Sequence, residues 1–218
     1  MATGASARDL YTERAGSYHR FVAAVRYAPA LRAAFRGFEP LRSDMKILDA
    51  GCGGGLLTLA VREALADRGL RPGVMHGFDL TPAMLGRFHD ALQKRGTTGV
   101  ELRQADVLSL DTLPSSWQGY DLIVSSAMLE YVPKSELPAA LRALRLRLGG
   151  QGVLVFFISR RNWLMRVLIE RWWHAHLYTR SELAEVLGQA GFSSVRFRRF
   201  PASYAHLGLW GHFVEARP

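Results

Sequence analysis

Four oxygen-bearing residues stand at equivalent places along this chain, each where an apolar run ends. Asp49 precedes Gly51-Cys52-Gly53-Gly54-Gly55, four glycines in five positions; Asp79 closes Val74-Met75-His76-Gly77-Phe78; Asp106 follows residues 100–104; and Ser125 follows Tyr120-Asp121-Leu122-Ile123-Val124. Glycines let the backbone approach a ligand and take positive φ without a Cβ clash. The apolar-periodic segment beyond them predicts a helix whose first N–H groups are free to bind. A small polar ligand therefore belongs on this turn. A dinucleotide fingerprint needs glycine at its first, third and sixth positions. Counted from Gly51 the sixth is Leu56, and counted from position 49 the first is Asp49. A carboxylate at the strand end also repels a pyrophosphate and welcomes an ammonium. A dinucleotide site, moreover, leaves Asp106 without a role.

The elements that must position these residues follow from periodicity and punctuation. Residues 7–37 read as helical, with Tyr11, Ala15, Tyr18, Val22 and Val25 on one face, Leu31 and Phe35 further on, and Pro29 dividing the stretch into two short helices. Strands are expected at 45–49, 74–79, 100–104, 120–124, 153–158, 195–200 and 212–216, and helices at 56–67, 83–95, 137–148 and 181–190. Thr81 and Pro82 look like the cap and first residue of the second of these helices. Gly149-Gly150 look like the stop of the third. Alternating strands and helices predict a doubly wound α/β fold, with its ligand at the carboxyl ends of the strands. Asp49, Asp79, Asp106 and Ser125 all fall at such ends.

Composition sets the outer bounds. The 218 residues are 49% hydrophobic and 22% charged, as for one soluble domain spanning 1–218. No apolar run reaches the roughly 20 residues that cross a bilayer, and the first 16 residues lack the apolar stretch of a secretory signal. One cysteine, Cys52, excludes an internal disulfide and a cysteine metal cluster. Cys52 itself reads as a small packed side chain rather than a nucleophile. A cytoplasmic location is expected. The formal charge of +9 is almost all arginine, with lysine only at 46, 94 and 134. The basic residues are scattered and read as solvated surface rather than a binding patch.

LDAGCGGG, FDLTPAML, QADVLSL and YDLIVSSAMLEYV, in that order over residues 46–158, resemble the class I S-adenosylmethionine-dependent methyltransferases, in particular the small-molecule branch. The later stretch YTRSELAEVLGQAGFSSV is similar to that branch too. The resemblance implies a Rossmann-like, mostly parallel sheet of seven strands with the last antiparallel, and an N-terminal helical lid over residues 1–44. It implies S-adenosylmethionine as cofactor and S-adenosylhomocysteine as product. Asp49 and the backbone of Gly51 and Gly53 would hold the methionine end. Asp79 would accept from both ribose hydroxyls, and Leu80 and Met84 would cover the adenine. Asp106 would accept from the adenine amino group, the Val107 N–H would donate to the ring, and Ser125 would line the pocket through its backbone.

Methyl transfer from a sulfonium needs an aligned acceptor and excluded water, and a base only where the acceptor must lose a proton. Glu130 and Tyr131, just past the fourth strand, are candidates, as are Tyr18 and His19 from the N-terminal helix and His174 with His176. Related enzymes often carry histidine where Tyr131 stands. Residues 160–177, RRNWLMRVLIERWWHAHL, replace a simple turn after the fifth strand, where the family builds acceptor pockets. Read as a helix, they put Asn162, Arg166 and Glu170 on one polar stripe and leave a wide apolar surface that includes Trp163, Trp172 and Trp173. That surface packs on the domain, roofs an acceptor pocket, or lies on a membrane.

The expected activity is methyl transfer to a small apolar or amphipathic acceptor, quinone-like, phenolic or lipid, without a metal. An RNA methyltransferase is the alternative that the charge invites. Against it, SSAM stands where an Asn/Asp-Pro-Pro-Tyr/Phe motif would be, so no nucleic-acid partner is expected. A non-catalytic S-adenosylmethionine-binding protein is the other alternative, and it would be marked by a lost cofactor acid. All of those acids are present. Nothing in the sequence selects an oligomeric state.

Overall fold

The structure is a computed structural model, and it describes residues 26–165 and 175–218. The elements are α1 Tyr27–Arg36, β1 Ile47–Ala50, α2 Leu56–Asp67, β2 Met75–Asp79, α3 Pro82–Lys94, β3 Val100–Gln104, β4 Tyr120–Ser126, α4 Leu137–Arg147, β5 Leu148–Ser159, α5 Arg180–Gln189, β6 Ser194–Arg198 and β7 Gly211–Arg217. Seven strands form one sheet in the order β3-β2-β1-β4-β5-β7-β6. β1 pairs in parallel with β2 on one side and β4 on the other, while β7 runs antiparallel to both β5 and β6. This is the seven-stranded Rossmann-like sheet that the resemblance implies. Strand order reverses at β1 and β4, which is where such folds open a crevice for ligands.

The period of two along the central strands decides which helices cover which face. Leu122 and Val124 of β4, with Val153, Val155 and Phe157 of β5, pack among Leu31 and Phe35 of α1 and Val61 and Leu65 of α2. The intervening Ile123, Leu154, Phe156 and Ile158 pack on the other face among Leu141 and Leu144 of α4 and Leu183 and Leu187 of α5. The sheet core is therefore buried on both sides, and the edge strand β3 carries the exposed Glu101 and Arg103.

Pro29 lies in the first turn of α1, where its missing N–H leaves no helical bond unmade; the helix expected before it falls outside the described residues. Thr81 is the cap residue and Pro82 the first residue of α3, as expected, although the Thr81 side chain makes no capping bond and its backbone N–H donates to Asp79 Oδ1 at 2.8 Å. One local expectation needs correction. Gly149 and Gly150 do not end a helix in a loop. They lie inside β5, where the pairing with β4 shifts from Tyr120↔Leu148 to Leu122↔Val153, a bulge that glycine accommodates. A 3₁₀ segment, Ala202–Leu209, also precedes β7 where no element was expected. Among the described residues no helix is long and apolar enough to cross a membrane.

Candidate active site

The glycine turn between β1 and α2 is built around two close approaches. Gly51 has φ +70°, and a Cβ there would lie 2.3 Å from the Met128 Cγ. Gly55 has φ +85°, and a Cβ would lie 2.1 Å from the Phe88 ring, so α2 meets α3 only because the side chain is missing. Between them the Gly53 N–H donates to Asp79 Oδ2 at 2.8 Å. Asp79 thus takes one backbone N–H on each carboxylate oxygen, from Gly53 and from Thr81. Each oxygen keeps lone-pair capacity for a further donor such as a hydroxyl. Burial pushes the Asp79 carboxyl up, and the two N–H groups oppose that rise.

Around this turn lies a cavity of about 650 Å³, which is the size of a small-molecule site. Its walls come from the carboxyl ends of four adjacent strands. Gly51, Gly53 and Gly54 follow β1; Asp79 ends β2 and Leu80 and Thr81 follow it; Ala105, Asp106 and Val107 follow β3; Ser126 ends β4 and Ala127 and Met128 follow it. Met84 of α3 and Leu56 of α2 complete the cofactor-side wall, while Tyr131, Val132, Pro133 and Glu136 continue the β4 side. Asp106 accepts the Leu108 N–H on Oδ1 at 2.9 Å, which leaves its other oxygen able to accept.

Asp49 stands apart from the wall. It is 1% exposed and its Oδ2 accepts the Thr58 hydroxyl at 2.6 Å, while Oδ1 is buried without a partner among the described residues. Burial pushes its carboxyl up to about 7, against the Thr58 bonds that lower it. An unpaired buried carboxylate oxygen next to a glycine turn suits a cation held on that turn. Cys52, the neighbour of Gly51, is buried, and burial raises its thiol well above the usual range, with the Asp49 and Asp79 charges adding to the rise. That is a packed thiol and not a nucleophile.

Of the residues anticipated from sequence, Gly51, Gly53, Asp79, Leu80, Met84, Asp106, Val107 and Tyr131 line the cavity. Ser125 does not. Its hydroxyl donates to the Ala50 carbonyl at 2.8 Å inside the sheet, and alternation along β4 brings Ser126 to the wall instead. Glu130 is likewise turned away: it is buried, and accepts the Ser159 N–H at 2.9 Å and the Ser159 hydroxyl at 3.0 Å. Burial lifts its carboxyl to about 7 despite those two bonds. Tyr18, His19, His174, Arg166, Glu170, Trp172 and Trp173 lie outside the described residues. Among the described residues no three His, Cys, Asp or Glu side chains gather as a metal set.

The wall also holds Tyr27, Ser126 and Met128, which sequence reasoning did not single out. For Tyr27 a signal existed: residues 27, 31 and 35 recur at helical spacing, so Tyr27 extends the stripe of Leu31 and Phe35 by one turn.

The chain is similar to known methyltransferases in sequence and in fold. Residues 18–196 match a family model described as "Methyltransferase domain". The ubiquinone biosynthesis O-methyltransferase of Methylococcus capsulatus is 35% identical over 140 residues, which are 64% of this chain and 53% of that protein. The protein of the same name from Yersinia pestis is 34% identical over 130 residues, covering 57% and 48%. The chain spans about half the length of the curated relatives it matches. Among solved structures, magnesium protoporphyrin IX methyltransferase from Synechocystis with bound SAH superposes with a TM-score of 0.70 over 97% of this chain and 98% of that one, at 17% identity. Mitomycin 7-O-methyltransferase gives a TM-score of 0.69 over 96% and 60%, at 19% identity. At such identities the structural matches speak for the fold, whereas the family match covers most of the chain. The chain belongs to the class I S-adenosylmethionine-dependent methyltransferase family.

Proposed function

We propose that this chain transfers the methyl group of S-adenosylmethionine to a hydroxyl of a small apolar or amphipathic acceptor, quinone-like or phenolic in class. The observation that carries the reading is a cavity shared by the ends of β3, β2, β1 and β4. Its β2–β3 side carries carboxylates with unused accepting capacity, and its β4 side carries phenol and hydroxyl groups among apolar walls. The naming of relatives as O-methyltransferases of ubiquinone biosynthesis favours an oxygen on a quinone-like ring.

When bound, the sulfonium supplies an already activated methyl group. The chain's own residues then bind, orient and dry the site. Asp79 would take the ribose hydroxyls on the lone pairs that Gly53 and Thr81 leave free. Asp106 and the Val107 N–H would take the adenine edge, with Leu80 and Met84 against its faces. Asp49, beneath the turn, would balance the ammonium of the methionine end, and the backbone of Gly51 would hold that end. Met128, Val132 and Pro133 would exclude water from the β4 side. Tyr131, acting as its phenolate, would receive the acceptor's proton; Glu130 instead holds Ser159.

A titration monitored by thermal unfolding tests the cofactor side. S-adenosylmethionine or S-adenosylhomocysteine at 100-fold over its dissociation constant should add about 2.7 kcal/mol, or roughly 5–10 °C at this size. No shift at millimolar ligand would end the proposal. Radiolabelled methyl transfer to a panel of catechols, quinols and RNA then identifies the acceptor class, and label entering RNA alone would overturn the small-molecule reading.

A peripheral membrane contact through residues 160–177 is the second part of the proposal. Trp163 is 80% exposed and Leu209 60% exposed, and the two are joined where the Asn162 Nδ2 donates to the Leu209 carbonyl at 2.7 Å. An exposed apolar pair close in sequence to Arg160 and Arg161 fits an anionic lipid surface. Co-sedimentation with vesicles containing anionic lipid, weakened in Trp163→Ala, is the expected outcome; equal pelleting of the variant would remove this part.

A further inference from the structure

The cavity contains a pair of hydroxyls to which the cofactor roles proposed above assign nothing. The Tyr27 and Ser126 hydroxyls lie 2.7 Å apart, contributed by α1 and by the last residue of β4, and both residues line the cavity. Two hydroxyls together own two protons and four lone pairs, and their mutual bond consumes one of each. One donor and three acceptor sites remain. That is the complement of a ring hydroxyl with a second oxygen beside it.

The pair is held in place on both sides. The Tyr27 ring meets Phe157 edge-on, with centroids 6.4 Å apart and an interplanar angle of 83°. Ser126 is followed by Ala127 at φ +53°, a left-handed conformation that a non-glycine residue keeps only under external constraint. The Ala127 N–H supplies that constraint by bonding the Phe157 carbonyl at 3.1 Å. Phe157 of β5 therefore fixes both members, one through its ring and one through its backbone. Burial, and to a lesser degree the Glu130 charge, keep the Tyr27 phenol protonated, so it acts as a hydrogen-bond donor rather than a base. The sheet order sets β4 on the opposite side of β1 from β2 and β3. The pair thus stands across the glycine turn from Asp79 and Asp106.

We infer that the Tyr27–Ser126 hydroxyl pair is the acceptor clamp: it grips the two neighbouring oxygens of a catechol-like ring and sets which one faces the methyl donor. This rests on the methyltransferase reading above, and the two can fail separately. Neither residue is a base in this scheme; both touch the acceptor and position it.

The test uses the full chain saturated with S-adenosylhomocysteine, with 4-propylcatechol and propylbenzene as probes in calorimetric titrations. The wild type should bind the catechol at least tenfold more tightly than propylbenzene. Tyr27→Phe keeps the ring and its contact with Phe157, and it should erase most of that preference while S-adenosylhomocysteine affinity stays within twofold. Ser126→Ala should behave alike, and the double variant should lose no more than either single one, since both changes break one unit. Given S-adenosylmethionine, the variants should also change the ratio of the two monomethylated products, a readout that general loosening of the fold does not move. Unchanged catechol preference and product ratio in both variants would overturn the clamp. So would a wild type that binds S-adenosylhomocysteine but not the catechol, leaving the methyltransferase reading intact. Failure to bind S-adenosylhomocysteine at all would remove both.

Discussion

The Gly53 amide donates a 2.8 Å hydrogen bond to Asp79 Oδ2, so the glycine turn after β1 and the acid that ends β2 are one unit. The Thr81 N–H holds the other oxygen at the same distance. Asp79→Ala strands both N–H groups. A hydrogen bond to a charged group contributes about 1.5–3 kcal/mol, less where water can replace it. The ligand-free variant should therefore lose about 1–3 kcal/mol, seen as a melting temperature lower by roughly 3–10 °C.

The turn glycines are unequal, and that can be measured. Gly55→Ala forces positive φ on a side chain and drives a Cβ to 2.1 Å from the Phe88 ring. Left-handed strain of about 1–2 kcal/mol and overpacking of about 1–3 kcal/mol both oppose folding. Gly54→Ala meets nothing within 4 Å and carries no positive φ. Urea denaturation should show the first variant destabilised by about 2–5 kcal/mol and the second within about 0.5 kcal/mol of wild type, as for other uncrowded surface changes.

Stability of the ligand-free protein should fall as pH rises. The Asp49 and Glu130 carboxyls are both lifted to about 7 by burial. In the unfolded chain they titrate near 4, so between about pH 4 and 7 the folded state binds more protons than the unfolded one. Stability is then greatest at the acidic end of that window, declines through it, and levels off above pH 7. Each group contributes a change of up to a few kcal/mol. Glu130→Gln can still accept the Ser159 N–H and can donate to the Ser159 hydroxyl, so it should flatten the slope between pH 5 and 7.5 without unfolding the protein. A slope identical to wild type would contradict the assignment.

Cofactor affinity should run the opposite way with pH. A ligand ammonium favours ionised Asp49, whose carboxyl sits at about 7 in the free protein. Affinity for S-adenosylhomocysteine is expected to rise as pH climbs from 6 to 8, with proton release seen as a buffer-dependent heat. Asp49→Asn should remove that dependence.

Much of this site was legible because its signals are local. The run from Asp49 to Gly55 declares a strand, a turn and a helix within a dozen residues, and the acids at 79 and 106 share its rhythm. What escaped depended on contacts distant in sequence or on parity. Gly149-Gly150 carry the same signal whether they stop a helix or bulge a strand, and only pairing with Tyr120 and Leu122 decides. Ser125 and Ser126 are adjacent, and a sheet's period of two sends one into the core and the other to the cavity; one residue of uncertainty in the strand end hides which. Glu130 reads as an accessible acid until Ser159, 29 residues later, is brought beneath it. Tyr27 lay in plain helical spacing, but its partner Ser126 is 99 residues away.

The most direct measurement is calorimetric titration of S-adenosylhomocysteine into the wild type and Asp79→Ala. One ligand per chain should bind the wild type, and loss of charged hydrogen bonds worth about 1.5–3 kcal/mol should weaken the variant by about 10- to 150-fold. A wild type without binding heat at millimolar ligand, or a variant with undiminished affinity, would contradict the account.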